Sequence, residues 1–498
     1  MIPVPGFEDR SVAVFGLGRS GLTAARALKA GRARPVLWDD SVSSRMQAEA
    51  EGFEVRDLTR ADWSGFAALV LSPGAPLTHP KPHWTVEKAR TACVEVIGDI
   101  ELFARALAAS QVLPAPRVIA ITGTNGKSTT TALIGWVLKQ AGLTVHVGGN
   151  IGIGVLALPE PTPDAVYVIE VSSYQLDLTT TFAPDVAILT NISPDHLDRH
   201  GGMDGYVAAK ARIFANLGDG VALVGVDDEW GQSVADTLAR TKTRGLAVSS
   251  TAQLREGGDP GPPRTGSAPP ESSGSGWMTG EMSSWVPAFA GMSGKLTAAP
   301  GVLSTGGGRI DLTPARSLPG RHNAQNAAFA YAAARAVGVS HEAAVAGLLS
   351  FPGLAHRMEP VGRLGRVRFV NDSKATNADA ARQALSSYDR SFWIAGGRAK
   401  ARGIDDLADL FPRVVEAFLI GEAADPFAAA LADTPHRISG DMETAVRQAW
   451  EAASATGRDE VVLLSPAAAS FDQYPDFEAR GASFRAAVLN LGATPEAS

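Results

Sequence analysis

The sequence has very little cysteine and no long apolar run. Cys93 is the only cysteine among 498 residues, so neither an intramolecular disulfide nor a thiolate metal cage can form. No uncharged apolar stretch reaches the roughly 18 residues that a membrane-spanning helix needs. The N-terminus MIPVPGFEDR lacks the apolar segment of a signal peptide. We therefore expect a cytoplasmic protein without membrane insertion.

An excess of basic residues is also absent. Lys and Arg number 45 against 52 Asp and Glu, which gives a formal net charge of -7. Sequence-independent binding of nucleic acid needs a basic face that neutralises phosphates. We therefore expect no nucleic-acid partner, whereas small phosphorylated ligands remain compatible with a local basic cleft.

Short β-branched runs recur along the chain, and each is followed by an Ala-rich helical pattern. They lie at residues 11–15, 118–122, 166–171, 186–190, 367–370 and 461–464. Continuous apolar runs of this kind are typical of buried parallel strands, and their alternation with helices predicts open α/β sheets. The chain length suggests about three domains. We place them at residues 1–112, 113–354 and 355–498.

One segment departs from this pattern. Residues from about 255 to 308 are dominated by Gly, Pro and Ser, a composition that buries too little apolar area to offset the entropy of ordering. The segment is predicted to be a disordered insertion. A docking segment is the alternative, because Trp277, Trp285 and Phe289 are unusual in a pure linker.

The first glycine cluster comprises Gly16, Gly18 and Gly21, between a predicted strand and a predicted helix. Such glycines let the backbone approach a diphosphate at a helix N-terminus. Asp39 and Asp40 end the next strand, at the spacing where a ribose hydroxyl is usually bound. The pattern indicates a nucleotide without specifying which one, and a tight turn with no ligand is the alternative.

A second glycine loop, ITGTNGKSTT, occupies residues 121–130. Backbone amides of such a loop surround phosphates, the lysine reaches the β and γ oxygens, and the following hydroxyl binds Mg²⁺. The segment therefore predicts a site for ATP or a close relative. Its predicted contacts are Gly123, Thr124, Asn125, Gly126, Lys127, Ser128 and Thr129.

Polar residues follow several other predicted strands, at the edge where open α/β sheets bind ligands. Glu170 ends one strand, where its carboxylate could complete a Mg²⁺ shell. The other candidates in the central part are Ser172, Gln175, Asp195, His196, Asp198, Arg199 and Lys210, the last of which resembles a surface lysine. Those in the third part are Arg357, Asp372, Lys374, Thr376, Lys400, Ser465, Ser470 and Phe477. Lysines and hydroxyls that converge in this way suit an anionic substrate.

At these motifs the chain resembles the Mur ligase family over its whole length except the insertion. The shared motifs are GTNGKST, DHLDR, YxxAK, HNxQN at 322–326, HR at 356–357 and NDSKATN at 371–377. The tail SPAAASFDQYPDFEARG, with FGLGRSG and LSPGAP nearer the start, is similar to the members that add D-glutamate. The resemblance implies an N-terminal Rossmann-like sheet domain, a central P-loop ATPase-type α/β domain and a C-terminal Rossmann-like α/β domain.

The resemblance further implies an ATP-dependent ligase that adds D-glutamate to UDP-N-acetylmuramoyl-L-alanine through an acyl phosphate, in the cytoplasmic synthesis of peptidoglycan precursors. It implies a monomer and two Mg²⁺ sites, with Ser128, Glu170, His196 and a carbamylated Lys210 as ligands. Lys127, His196 and Lys210 would be catalytic. Asn323, Asn326, Arg357 and Asp372 would contact ATP.

The two other substrates have implied contacts of their own. The UDP-sugar would be bound by Ser20, Asp39, Asp40, Ser72, Gly74, Asn150, Ser172 and Gln175, and D-glutamate by Lys374, Thr376, Lys400, Ser470 and Phe477. One departure concerns the uridine contacts, because the second strand here ends in WDDS, where family members can carry a basic residue.

Three alternative functions involve another protein class or another substrate. The first is an amide ligase of the same fold that uses another amino acid. The second is an NAD(P)-linked oxidoreductase that binds its dinucleotide at the first glycine cluster, which the second glycine loop disfavours. The third is an inactive binding protein, which the joint presence of Lys127, Glu170, His196 and Lys210 disfavours.

Overall fold

The chain folds into three α/β sheets flanked by helices, as a computed structural model shows. The structure describes residues 1–241, 243–250, 295–305, 308–315, 317–399 and 403–496. Two compact units divide it. The first contains residues 1–314 and 323–350, and the second contains residues 315–322 and 351–498. The predicted α/β fold class is confirmed.

The first sheet has five parallel strands in the order β3-β2-β1-β4-β5. They are β1 (Ser11–Phe15), β2 (Arg34–Trp38), β3 (Glu54–Val55), β4 (Phe66–Leu71) and β5 (Glu95–Ile97). The accompanying helices are α1 (Arg19–Ala30), α2 (Val42–Ala50), α3 (Trp84–Thr91) and α4 (Asp99–Ala108). Because β1, β2 and β4 are neighbours, the loops that follow them meet at one edge.

The central sheet has nine strands in the order β14-β13-β12-β11-β10-β9-β6-β8-β7. The parallel part comprises β6 (Arg117–Thr122), β7 (Val145–Gly149), β8 (Val166–Glu170), β9 (Val186–Leu189), β10 (Val221–Gly225), β11 (Gly245–Ser249) and β12 (Lys295–Ala299). Two antiparallel strands, β13 (Val302–Thr305) and β14 (Gly308–Asp311), complete it. Strand β6 lies between β8 and β9, so the loops after these three strands are adjacent.

The C-terminal boundary predicted for the insertion, at about residue 308, is wrong. Residues 295–299 and 302–305 form paired strands of the central sheet, and Leu296 and Leu303 are buried there. A glycine with positive φ, Gly301, turns the chain between them. Each of these strands has too few residues, and lies too close to the Gly-rich stretch, for the period of its apolar positions to be recognised in the sequence. Residues 251–294, with Trp277, Trp285 and Phe289, lie outside the described residues.

The helices of the central part cover the faces of its sheet. They are α5 (Lys127–Gln140), α6 (Ser173–Leu176), α7 (Leu197–His200), α8 (Met203–Ala211), α9 (Glu229–Arg240), α10 (Gly320–Ala336) and α11 (His341–Leu349). One apolar core includes Ile2 and Leu28 of the first part together with Leu156 and Ile169 of the central part. The first two sheets therefore belong to a single compact unit, and the division of the chain into three domains stays a prediction.

The second unit has a seven-stranded sheet in the order β19-β18-β17-β20-β16-β15-β21. The strands are β15 (Glu359–Leu364), β16 (Val367–Asn371), β17 (Ser391–Gly396), β18 (Val414–Ile420), β19 (His436–Gly440), β20 (Glu460–Leu464) and β21 (Thr494–Pro495). The helices are α12 (Ala378–Ser386), α13 (Ala424–Leu431), α14 (Met442–Ala455) and α15 (Phe477–Asn490). Strands β16 to β20 pair in parallel, so their carboxyl ends share one edge. Among the described residues, no helix is long and apolar enough to cross a membrane.

Candidate active site

The glycine loop between β6 and α5 has a backbone that only glycine allows. Gly123 has a φ of +142°, and a Cβ there would lie 1.9 Å from Thr190 Oγ1. Gly126 has a φ of +81°, and a Cβ there would lie 2.7 Å from Asn326 Oδ1. L side chains rarely adopt such φ values. The two glycines therefore allow a tight loop at the N-terminus of α5, where backbone N–H groups favour anions.

Residues after β9 fix the same loop from the side. The Asn125 N–H donates to Asn191 Oδ1 at 2.9 Å, and Asn191 Nδ2 donates to the Asn125 carbonyl at 3.0 Å. Thr190 Oγ1 donates to that carbonyl at 2.7 Å. Sequence reasoning missed Asn191, although an amide directly after an apolar strand could have indicated it. These bonds hold the loop in its shape without a ligand.

Two lysines converge on one backbone carbonyl. Lys127 Nζ donates to the carbonyl oxygens of Gly123 at 2.9 Å and Thr124 at 2.8 Å. Lys210 Nζ donates to the same Gly123 oxygen at 2.7 Å and lies 4.4 Å from the centroid of the Tyr206 ring. Lys210 is 2% exposed, so it is not the surface lysine that the sequence alone resembles.

Burial dominates the electrostatics of Lys210. It holds the pKa of the Lys210 amine well below its usual range, the neighbouring Lys127 lowers it further, and Asp195 and Glu170 oppose the shift. Desolvation disfavours the ammonium form, and a like charge adds to that effect. The neutral amine is therefore favoured more strongly here than at a surface lysine.

Oxygen donors lie around this loop. Glu170, at the end of β8, accepts a hydrogen bond from Asn150 Nδ2 at 2.8 Å. Ser128 is buried in the first turn of α5, and the buried Thr129 Oγ1 has no hydrogen-bond partner in the structure. Hydroxyl and carboxylate oxygens are what Mg²⁺ prefers, so the donor set fits this ion. No group of three His, Cys, Asp or Glu in a metal-binding arrangement occurs within the described ranges.

The DHLDR segment lies beside an aromatic cluster. His196 has a positive φ of 55°, its Nε2 is 3.4 Å from Asp195 Oδ2, and its ring centroid is 5.0 Å from that of Tyr174. The Arg199 guanidinium lies 4.6 Å from the Tyr174 centroid and donates to the Gly74 carbonyl at 3.0 Å. The segment therefore links the loop after β4 to the central part. Sequence reasoning missed Tyr174.

The first glycine cluster is tied to the acidic pair. The Leu17 N–H donates to Asp39 Oδ2 at 2.5 Å, and the Ser41 N–H donates to Asp39 Oδ1 at 2.7 Å. Asp40 instead lies 3.5 Å from His83 Nε2. A Cβ on Gly16 would lie 2.4 Å from Ser72 Cβ. Asp39 therefore shapes the loop in addition to any ligand contact.

Two of the residues predicted to bind the sugar nucleotide are linked to Asp99, which sequence reasoning missed. Gln175 Nε2 donates to Asp99 Oδ1 at 3.2 Å and Oδ2 at 3.1 Å. Gln175 Oε1 accepts from the N–H and hydroxyl of Ser172, both at 3.1 Å. An acidic residue that directly follows Gly98 and opens an apolar helix was the available signal.

Helix α10 supports the glycine loop after β6 with amides. Asn326 Oδ1 accepts from Thr130 Oγ1 at 3.1 Å, and Asn326 Nδ2 donates to Asn323 Oδ1 at 3.1 Å. Gln325 Nε2 donates to Asp227 Oδ2 at 3.1 Å. The HNxQN motif thus lies against the glycine loop, and its predicted contact with ATP remains a prediction.

In the second unit, Asp372 follows β16 and is buried. Its carboxylate accepts from Ser465 Oγ at 3.0 Å and from the Met358 N–H at 3.2 Å. Burial raises the pKa of Asp372 to about 6, although Arg357 and the hydrogen bonds lower it. Asp372 and Ser465, which follow the neighbouring strands β16 and β20, are therefore grouped, and Arg357 lies close enough to affect the Asp372 carboxyl.

Four of the five residues predicted to bind D-glutamate lie at the same edge of this sheet, after β16 and β20. Lys374 Nζ is 4.9 Å from the centroid of the Phe477 ring. The Thr376 N–H donates to the Lys374 carbonyl at 2.9 Å, and the buried Ser470 accepts the Tyr474 N–H at its carbonyl at 2.8 Å. Lys400 lies outside the described residues. The role of each of these residues stays a prediction.

Known proteins match the chain over nearly its whole length. The profile of the Mur ligase middle domain matches residues 121–257, and that of the Mur ligase glutamate ligase domain matches residues 356–468. The UDP-N-acetylmuramoylalanine--D-glutamate ligase of Caulobacter vibrioides is 58% identical and covers 99% of this chain and 98% of its own. The enzyme of the same name from Agrobacterium fabrum is 50% identical and covers 99% and 97%.

Solved structures share the fold at low identity. The UDP-N-acetylmuramate-alanine ligase MurC from Thermotoga maritima aligns with a TM-score of 0.55 at 15% identity, over 97% of this chain and 99% of that one. A pseudomurein peptide ligase type C from Methanothermus fervidus aligns with a TM-score of 0.54 at 18% identity, over 97% and 100%. Taken with relatives that are 50–58% identical over 99% of this chain, these matches show that the chain belongs to the Mur ligase family.

Proposed function

We propose that this enzyme joins D-glutamate to UDP-N-acetylmuramoyl-L-alanine, with conversion of ATP to ADP and phosphate, in the synthesis of peptidoglycan precursors. The names of the relatives that are 50–58% identical support this substrate pair. The observation that carries the proposal is the convergence of Lys127 and Lys210 on the Gly123 carbonyl, in the glycine loop at the N-terminus of α5. An NAD(P)-linked oxidoreductase has no use for this arrangement.

The chemistry follows from the inertness of a carboxylate toward amines at neutral pH. The γ-phosphoryl group of ATP passes to the L-alanyl carboxylate, which gives an acyl phosphate and ADP. The D-glutamate amine attacks the acyl carbon, and the tetrahedral intermediate expels phosphate as the amide forms. Lys127, at the loop, would bind and orient the transferring phosphoryl group. His196 or a neighbouring carboxylate would take the proton that the incoming ammonium loses.

Two Mg²⁺ ions would be held by residues around the glycine loop after β6. Ser128 and Glu170 would hold one ion, and His196 and Lys210 would lie near the second. When bound, such ions neutralise charge that develops on the phosphoryl oxygens. The oxygen donors around Gly123, including the unpaired Thr129 Oγ1, support this assignment.

Lys210 is proposed to act as a carbamate. Its neutral amine nitrogen would bond to the carbon of CO₂ and release one proton to solvent, which leaves a negatively charged carbamate whose oxygen atoms can serve as ligands. Only the neutral amine is nucleophilic, and the burial of Lys210 beside Lys127 favours that form. Tyr206 and the Gly123 carbonyl would hold the side chain in place.

The remaining predicted contacts complete the assignment. The family resemblance places the UDP-sugar around Ser20, Asp39 and Gln175, the adenosine and phosphates around Arg357 and Asp372, and D-glutamate around Lys374, Thr376, Lys400, Ser470 and Phe477. We also propose a cytoplasmic monomer that neither binds nucleic acid nor inserts into membranes, in line with the acidic net charge.

Phosphate release from ATP tests the function. The purified enzyme is assayed with each candidate amino acid, with and without UDP-N-acetylmuramoyl-L-alanine. We expect release only when D-glutamate and the UDP-sugar are both present. Release that follows another amino acid would assign the chain to a different ligase of the same fold. Hydroxylamine added with ATP and UDP-sugar, but without D-glutamate, should trap the acyl phosphate as a hydroxamate.

A further inference from the structure

Asp99 occupies the first position of α4 and lies at the centre of a buried polar cluster. Its side chain belongs to the first part of the chain, but its partner Gln175 lies on α6 of the central part. Asp99 is only 4% exposed, and Gln175 is 2% exposed. Both belong to the same compact unit. The cluster therefore joins α4 to Gln175, which the family resemblance assigns to the UDP-sugar.

The hydrogen bonds leave Gln175 with a single favourable orientation. Its Nε2 faces both oxygens of Asp99, and its Oε1 accepts two bonds from Ser172. Rotation of the amide by 180° would place Oε1 against the carboxylate and Nε2 against the Ser172 N–H. Each contact would then pair like groups and leave buried polar groups without a hydrogen-bond partner, which is unfavourable.

We propose that Asp99 is a positioning residue of the UDP-sugar site, an inference that rests on the function proposed above. Its carboxylate sets the orientation of the Gln175 amide. Asp99 thereby holds the turn after β8, which carries Gln175 and Ser172, against the first turn of α4.

Glu101, a second buried carboxylate on the same helix, has contacts that are typical of a purely structural role. Glu101 accepts from the Thr180 N–H at 2.7 Å, the Thr181 N–H at 2.9 Å and Arg105 Nε at 2.9 Å. Burial raises the pKa of Glu101, but these bonds outweigh it and lower the pKa overall. The carboxylate thus stabilises the packing of α4, and none of its partners is a predicted substrate contact.

Asp99 differs from Glu101 in its energetic balance. Burial raises the pKa of Asp99, and the bonds from Gln175 and Ile100 offset that only in part. A carboxyl group whose folded pKa is raised above its unfolded value lowers stability as the pH rises through that range. The Asp99 carboxylate therefore contributes less to the stability of the fold in its ionised form than the Glu101 carboxylate does.

Two isosteric variants test the proposal, Asp99→Asn and Glu101→Gln. For Asp99→Asn we expect the KM for UDP-N-acetylmuramoyl-L-alanine to rise about tenfold, because its new N–H₂ group faces Gln175 Nε2. The KM values for ATP and D-glutamate should change less than about twofold. Glu101→Gln should lower Tm and leave all three KM values within about twofold.

Other outcomes overturn the proposal. An unchanged KM for the UDP-sugar in Asp99→Asn would do so, as would an equal rise for all three substrates. If Asp99→Asn does not fold, Asp99→Ala serves the same test, since it removes the acceptor and introduces no donor opposite Gln175. Wild-type enzyme whose rate does not depend on the UDP-sugar would overturn the proposed function instead, so the two failures are distinguishable.

Discussion

The first compact unit contains two glycine loops that share positive-φ glycines but differ in the ligands that they suit. The loop after β1 has Gly16 with a φ of +88°, and the loop after β6 has Gly123 and Gly126 with positive φ. Both precede a helix N-terminus. The first is stabilised by the Asp39 carboxylate on the Leu17 N–H, whereas the second is stabilised by neutral amides and hydroxyls and carries Lys127.

This difference indicates what each loop can bind. A carboxylate that already occupies an N–H group repels further negative charge nearby. The first loop therefore suits a ligand whose sugar or base, rather than a dense phosphate charge, faces Asp39. In the second loop, the Lys127 ammonium places a positive charge beside the Gly123 carbonyl. The buried Lys210 amine places a nucleophilic nitrogen at the same carbonyl. Glycine spacing alone does not distinguish them.

Lys127→Ala should have the largest effect. The substitution removes the ammonium that faces the phosphates, and we expect kcat to fall by about 100- to 1000-fold. Tm should change little, because Lys127 is only half-buried. Steady-state phosphate release and thermal unfolding measure the two quantities. The control is Lys139→Ala, which alters an exposed lysine in the last turn of the same helix. A Lys127→Ala enzyme with near-normal kcat would contradict the proposed difference in ligand between the two loops.

Lys210→Ala tests the modified-lysine proposal at the same loop. We expect a loss of turnover of about 100-fold, since an oxygen ligand near the second ion disappears. Added formate or acetate should restore part of the activity by occupying the vacated space, while the wild-type enzyme gains nothing. Lys210→Arg should not rescue, because a guanidinium does not form a carbamate. Full activity in either variant would show that Lys210 only packs against Tyr206.

Asp39→Asn changes the first loop and should have a smaller effect. Its amide can accept from only one of the Leu17 and Ser41 N–H groups, and its N–H₂ group then opposes the other. We expect the KM for the UDP-sugar to rise about tenfold, equivalent to about 1.4 kcal/mol. The KM for ATP should not change. Asp57→Asn, which alters an exposed turn in the same part, is the control. Equal rises in both KM values would show that the loops are coupled.

Much of this organisation could be predicted from the sequence. The strands at 118–122 and 166–171 were found because buried parallel strands are continuous apolar runs, and the structure has strands at Arg117–Thr122 and Val166–Glu170. The glycine loop followed from residue types whose backbone requirements are unusual. The family resemblance is confirmed by relatives that are 50–58% identical over nearly the full length.

Long-range pairing could not be predicted in the same way. Nothing near Asp99 in the sequence indicates Gln175, which is 76 residues away. Lys210 resembles a surface residue, because the helix that carries it has a mixed composition, and only the fold buries it against Gly123. The short strands β12 and β13 were missed because each has too few residues for a recognisable period.

Deletion of part of the Gly-, Pro- and Ser-rich segment should have the smallest effect. The chain enters this segment after Ser250, whose N–H donates to Asp227, and Asp227 also accepts from Gln325 of the helix that supports Gly126. Replacing residues 256–290 by a short Gly-Ser linker leaves these bonds in place. We expect activity and the KM for ATP to stay within about threefold, because the composition of the segment offers little apolar area to bury.

A longer deletion, of residues 258–304, gives the contrast. It removes β12 and nearly all of β13, with Leu296 and Leu303, and the loss of each buried leucine costs about 2–5 kcal/mol. Tm and activity should both fall strongly, as measured by thermal unfolding and phosphate release. If the shorter deletion also raised the KM for ATP more than tenfold, the segment would contribute to the second loop. The shape of that loop would then depend on residues beyond Asn191, Thr190 and Asn326.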